Sequence, residues 1–186
     1  KSYQEIEFKN TLNKNLKRNA TYFKTNSSQA IVLVHQSGYT KESWYEFSQI
    51  LQNNKISSVS LQNISVEDIL GSVQFLQSKG YKEITLMGAS LGGASVLRFI
   101  DTYKKIKISK IILLAPAIGP SLISETEKLV IVAKNDFYSS KAYETFNEAS
   151  NPKVLKEYEG TAHAQKLFNT SHKQNMIKTI LDFLKL

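Results

Sequence analysis

The sequence predicts an α/β fold with a mostly parallel central sheet and helices on both faces. Short apolar runs such as Ala30–His35, Glu83–Met87, Lys110–Leu114 and Leu129–Ala133 suit strands buried on both sides. Between them lie segments with apolar residues at helical spacing, for example Trp44, Phe47, Ile50 and Leu51. Strands that alternate with helices of this length imply βαβ units and parallel pairing. The three prolines, Pro116, Pro120 and Pro152, all fall between the expected elements.

In chain order, the segments Tyr3–Phe8 and Leu16–Phe23 read as a leading antiparallel hairpin. The strand Ala30–His35 is followed by the helix Ser43–Leu51 and the strand Ile56–Leu61. Val66–Lys79 is helical, and Gly80 stands where a C-cap belongs. Then come strand Glu83–Met87, helix Leu91–Tyr103, strands Lys110–Leu114 and Leu129–Ala133, helix Ser139–Ser150, strand Val154–Tyr158 and a long final helix Ala164–Leu186. No repeat, low-complexity block or linker interrupts the pattern, so residues 1–186 read as a single domain.

Composition narrows the functional classes. With 186 residues the chain can bury a sizeable core, and 41% hydrophobic with 22% charged residues is ordinary for a globular domain. No apolar run reaches the length of a membrane span. The absence of cysteine excludes disulfides, a thiol nucleophile and thiolate metal sites. The net charge of +8 reads as a solvated lysine-rich surface with a weak pull toward anionic surfaces. No basic run is interleaved with aromatics, so nucleic acid is not an expected partner. A start at Lys1 is compatible with a removed leader and leaves the compartment open between cytoplasm and export.

The most informative stretch is Ile84-Thr85-Leu86-Met87-Gly88-Ala89-Ser90-Leu91-Gly92-Gly93, a buried strand, a Gly-x-Ser-x-Gly turn and a helix start. A serine at such a turn stands exposed above the sheet. The helix N-terminus behind it offers N–H groups and positive dipole to a developing oxyanion. The competing reading is a plain strand-to-helix turn with a capping serine. Strand and helix signals on both flanks favour the nucleophile.

Serine needs an adjacent base, and the base needs an orienting acid. Of the three histidines, His163 follows the last expected strand, on the same sheet edge as Ser90. His172 falls inside an expected helix, as a surface residue. His35 ends an earlier strand and suits a bracing role. Among the acids, Asp136 ends the strand Leu129–Ala133, although it could also simply cap the helix near Ser139. Asp68 and Asp101 are expected in helices away from the carboxyl edge, and Glu125 and Glu127 on the amino side of a strand. The expected oxyanion donors are the backbone N–H groups of Leu91, directly after the serine, and Gln36, in the loop His35-Gln36-Ser37-Gly38.

These motifs resemble the α/β-hydrolase superfamily, in pattern most like small esterases and dienelactone-hydrolase-like proteins. The resemblance runs from about residue 28 to the end of the chain. It rests on the His-x-x-Gly loop, the Gly-x-Ser-x-Gly elbow, the Asn135-Asp136 turn and the Gly160-x-x-His163 turn, in the superfamily's order nucleophile, acid, base. Dienelactone hydrolases carry a cysteine at the elbow where this chain has Ser90, and the glycine run of longer-loop lipases is missing after His35. The short Ala115–Lys128 connection leaves no room for a cap domain.

The resemblance implies a serine hydrolase without metal or organic cofactor. The expected activity is that of a carboxylesterase on small to medium acyl esters, through Ser90, His163 and Asp136 and an acyl-enzyme. Thioesterase, deacylase or peptidase activity with the same residues stays open, as does a non-catalytic binding module, because one fold hosts many functions. Oligomeric state stays open too.

Overall fold

The computed structural model describes residues 2–8 and 18–185. Eight strands form one sheet among these residues. They are β1 (Gln4–Phe8), β2 (Arg18–Phe23), β3 (Gln29–Val34), β4 (Ser57–Leu61), β5 (Glu83–Ala89), β6 (Lys110–Leu114), β7 (Glu127–Ala133) and β8 (Lys153–Tyr158). The order across the sheet is β1-β2-β4-β3-β5-β6-β7-β8. β1 and β2 are antiparallel, as is the β2–β4 pair, and the other neighbours are parallel. The leading hairpin is therefore present, with Leu16 and Lys17 outside the described residues. This is the α/β-hydrolase fold that the sequence led us to expect.

Register sets the working edge. Val34 pairs with Gly88, Ala89 with Leu114, and Ala133 with Tyr158, so these strands end close to one line. Their continuous apolar runs follow from burial on both faces. In β3, Ile31 and Leu33 join one core while Val32 and Val34 join the other, as the period-two alternation of a strand requires. On the Val32 side lie α2 (Val66–Ser78), α3 (Leu91–Thr102) and α4 (Ser139–Glu148), contributing Ile69, Val96, Phe99 and Ala142. On the Ile31 side lie α1 (Tyr45–Asn53) and α5 (Lys173–Leu184), with Phe47, Leu51, Ile177 and Ile180.

Two helices differ from expectation. The first opens with a 3-10 turn, Lys41–Trp44, before α1. The last is broken: residues Ala164–Asn169 form a 3-10 turn, and α5 begins only at Lys173. Ala164 adopts a positive φ of 53°, and Thr170 is extended. The Thr170 hydroxyl accepts the His172 N–H at 3.2 Å, a local side-chain bond that competes with helix. His172 thus caps α5 rather than sitting within it. Gly80 takes the positive φ of a helix-ending glycine, 89°. Between β6 and β7, residues 115–126 carry no helix or strand, so no cap is inserted there.

Asp68 also corrects an expectation. Because α2 leaves the carboxyl end of β4, its first turn lies at the working edge, not away from it. Its carboxylate is nevertheless engaged: Oδ2 accepts from Arg18 at 2.5 Å and from the Ser65 hydroxyl.

Candidate active site

Ser90 links β5 to α3 and holds φ 52°, ψ −116°, a strained conformation for a residue with a Cβ. Such a backbone costs on the order of 1–3 kcal/mol and persists only where neighbours enforce it. Here they do. Ser90 N–H donates to the Leu114 carbonyl at 3.0 Å, and the Ser90 carbonyl accepts from Ala117 N–H at 2.9 Å and Ala94 N–H at 3.2 Å. The flanking glycines are required by close approach. A Cβ on Gly88 would meet the Gly92 carbonyl oxygen at 2.5 Å, and one on Gly92 would meet the Val34 carbonyl oxygen at 2.3 Å. The Gly-x-Ser-x-Gly pattern is thus a packing requirement where β5, α3 and the end of β3 converge.

Ser90 Oγ lies 2.9 Å from His163 Nε2, and His163 Nδ1 lies 2.6 Å from Asp136 Oδ2. A carboxylate only accepts, so Nδ1 carries the proton and Nε2 is left to accept from the hydroxyl. Asp136 is almost wholly buried, 3% exposed. Its Oδ1 accepts the Tyr138 N–H at 2.9 Å, closing a local turn before α4 and leaving Oδ2 for the imidazole. Asp136 thus closes a turn with one oxygen and meets His163 with the other; it does not cap α4, whose N-cap is Tyr138.

The acid and base loops are fastened to each other by backbone. Lys134 N–H donates to the Tyr158 carbonyl at 2.8 Å, and Asn135 N–H to the Gly160 carbonyl at 3.0 Å. Outside this, Lys134 Nζ meets Glu159 Oε1 at 2.7 Å. The pairing raises the Lys134 ammonium and lowers the Glu159 carboxyl from their ordinary values.

His35 and His172 stand apart from this chain of bonds. His35 Nδ1 and Nε2 lie 2.8 Å from the Gln36 and Gln62 carbonyl oxygens, which braces the loop after β3. His172 Nε2 lies 2.8 Å from the Glu159 carbonyl oxygen.

The Gln36 N–H requires a correction. It donates to Gln165 Oε1 at 2.9 Å and is therefore not free for an oxyanion. Gln165 N–H donates in return to Gln36 Oε1 at 2.7 Å, and Gln165 Nε2 donates to the Ser43 hydroxyl at 2.9 Å. Both glutamines are buried. Ser37 is the next residue along; its N–H has no acceptor among the described residues. Leu91 N–H opens α3, where no preceding turn supplies an acceptor. A cavity of about 320 Å³ is lined by Ser37, Ser90, Leu91, Tyr138, Lys141 and His163, with Gln36 and residues 115–117 completing its wall.

The family model described as serine aminopeptidase, S33, matches residues 52–179 of this chain. The chain belongs to this family. The matched segment includes Ser90, Asp136 and His163 and begins after the Gln36–Ser37 loop. Among curated proteins, no sequence matches. Solved structures show the same fold at low identity. A monoacylglycerol lipase from Paleococcus ferrophilus superposes with TM-score 0.76 at 14% identity, over 91% of this chain and 98% of that one. A dienelactone hydrolase from Anabaena variabilis gives 0.80 at 13%, over 98% and 97%. A hyperthermophilic esterase from Pyrobaculum calidifontis gives 0.81 at 14%, over 98% and 85%.

Sequence reasoning missed Gln165, Tyr138 and Lys141 in this member of the serine aminopeptidase family. Gln165 left one trace, a polar residue two positions after His163 in a segment otherwise suited to packing. Tyr138 stacks on His163 with ring centroids 5.0 Å apart, and nothing in the local pattern signals that contact.

Proposed function

We propose that the chain is a serine hydrolase, a carboxylesterase for small to medium acyl esters, acting as one domain. The observation that carries this is the unbroken path Ser90 Oγ, His163 Nε2, His163 Nδ1, Asp136 Oδ2 at hydrogen-bonding distances. In this reading His163 takes the Ser90 proton as Oγ attacks the ester carbonyl. Asp136 holds the ring and stabilises its cation. His163 then passes the proton to the leaving alcohol. A water deprotonated by His163 releases the acid from the acyl-enzyme. Leu91 N–H and Ser37 N–H stabilise the oxyanion, with Ser37 replacing Gln36 in that role.

The family's described activity is aminopeptidase, so ester and amide must be told apart. An aminopeptidase has to receive a substrate ammonium. No Asp or Glu lines the cavity among the described residues, whereas Lys141 does. That favours the ester. Ser90→Ala should keep the fold and lose on the order of 10⁴–10⁶ in kcat, with loss of labelling by a fluorophosphonate. A folded variant with more than about a tenth of wild-type activity would sink the reading. Matched ester, thioester and amino-acid anilide substrates, assayed together, assign the scissile bond.

A further inference from the structure

Among the described residues, the cavity that holds Ser90 has one lysine on its wall, Lys141, and no arginine. Lys141 stands in the first turn of α4, where no acidic residue accompanies it. Its Nζ lies 5.2 Å from the centroid of the Tyr138 ring, and that ring packs on the His163 imidazole. Among the described residues Lys141 meets no carboxylate. Exposed Lys105 also meets none among the described residues, whereas Lys141 alone of the two stands on the cavity wall beside Ser90 and His163. A cation in the first turn of a helix is also opposed by the helix dipole. Beside it, Phe137 is 89% exposed and rests edge-on against Tyr138 at 5.1 Å. The wall thus combines an unanswered positive charge with an aromatic shelf, next to the reactive serine.

We propose that this wall is an anion subsite. The substrate is an ester that carries a carboxylate or phosphate group, separated from the scissile carbonyl by a short apolar spacer. Lys141 receives the anion, and the Tyr138–Phe137 shelf receives the spacer. The proposal rests on the esterase reading above and deepens it.

The test is pH-stat hydrolysis of two matched substrate pairs. Monomethyl adipate against methyl hexanoate places the anion on the acyl side. An acetyl ester of glycerol phosphate against an acetyl ester of glycerol places it on the alcohol side. The readout is the kcat/KM ratio of the anionic to the neutral member. At least one pair should favour the anion by about fivefold, the scale of a partly exposed ion pair, and the responding pair identifies the side. The ratio should fall to about one in Lys141→Met, invert in Lys141→Glu, and shrink as salt is raised. Lys105→Met, the same charge change in the α3–β6 loop, should keep the wild-type ratio. A wild-type preference for both neutral members, or an equal ratio in wild type and Lys141→Met, overturns the subsite. Fluorophosphonate labelling in parallel separates the two levels. Labelled enzyme without anion preference overturns the subsite alone, and unlabelled enzyme overturns it together with the esterase reading.

Discussion

Asp68 and Asp136 are both buried at the carboxyl edge of the same sheet, Asp68 in the first turn of α2 and Asp136 just before α4. Each presents Oδ2 to a nitrogen at closely similar distance, Arg18 Nη1 at 2.5 Å and His163 Nδ1 at 2.6 Å. The partners differ in what they reach. An arginine is charged at every accessible pH, and Arg18 Nη1 also donates to the Ser65 hydroxyl at 2.9 Å, so Asp68 contributes a fixed fastening between β2 and α2. A histidine has a second ring nitrogen, and that of His163 meets Ser90, so Asp136 is tied to the serine through the ring. The residual hydrogen bonding differs as well. Asp136 uses both oxygens, whereas Asp68 Oδ1 and Arg18 Nε are buried without partners among the described residues. The pair that reaches Ser90 is the better satisfied of the two.

Exchanging the carboxylates for amides should break the comparison most sharply. Asp136→Asn keeps the size but favours the wrong imidazole tautomer, and kcat should fall by up to about 10⁴ with the thermal midpoint little changed. In Asp68→Asn, kcat per folded molecule should stay close to wild type while the midpoint drops. Steady-state kinetics normalised to active serine, beside thermal unfolding, separates the two. A larger kcat loss at Asp68 than at Asp136 would reverse the assignment.

Arg18→Met leaves a fully buried carboxylate without its cation. Removing one partner of a buried pair typically costs about 3–5 kcal/mol, which denaturant titration reads directly. A loss below about 1 kcal/mol would overturn the fastening role.

The two aspartates also mark what the sequence could disclose. Asp136 was legible because topology alone constrains it: an acid that ends a parallel strand lies at the working edge beside other strand ends. Elbow and base loop were legible for the same reason, since Gly88, Ser90, Gly92 and His163 obey local rules of turn and strand. Asp68 was misplaced because its helix was considered without the edge from which that helix departs. The pairs Arg18–Asp68 and Gln36–Gln165 join positions 50 and 129 residues apart. No periodicity or turn chemistry carries such contacts, which is why the Gln36 N–H was given a role that Gln165 already fills. The break at Thr170 escaped for a similar reason: apolar spacing continued through it, while the extended Thr170 and its hydroxyl bond to the His172 N–H ended the 3-10 run before α5.

Beside these two charged pairs stands a neutral one. Gln36 and Gln165 exchange hydrogen bonds between the loop after β3 and the turn after His163, so they set the gap in which an oxyanion would sit. Gln165→Ala should lower kcat by about 10–100-fold with a smaller change in KM, since displacements of about 1 Å are costly only in the transition state. It should also cost about 1–3 kcal/mol for the buried Gln36 N–H left unpaired, since Gln36 Oε1 keeps the backbone N–H of residue 165. If KM rises while kcat is kept, the clamp shapes substrate binding rather than oxyanion geometry.

The smallest effect belongs to the exposed pair Lys134–Glu159, which spans the same two loops as Asp136 and His163. It resembles the Asp136–His163 pair in position and the Arg18 pair in chemistry, yet water and salt screen it. The hydrogen bond and charge of Lys134 lower the Glu159 carboxyl from its ordinary value of 4.5. A lowered carboxyl contributes stability above the unfolded value and loses it as pH falls through the folded one. Glu159→Gln should therefore lower the thermal midpoint slightly at neutral pH, and the difference should vanish in acid and in high salt. Turnover should stay within about twofold, because the Lys134–Tyr158 and Asn135–Gly160 backbone bonds already hold the loops in register. A tenfold loss of kcat in Glu159→Gln, restored by no change of salt, would show that this pair and not the backbone sets the Asp136–His163 distance.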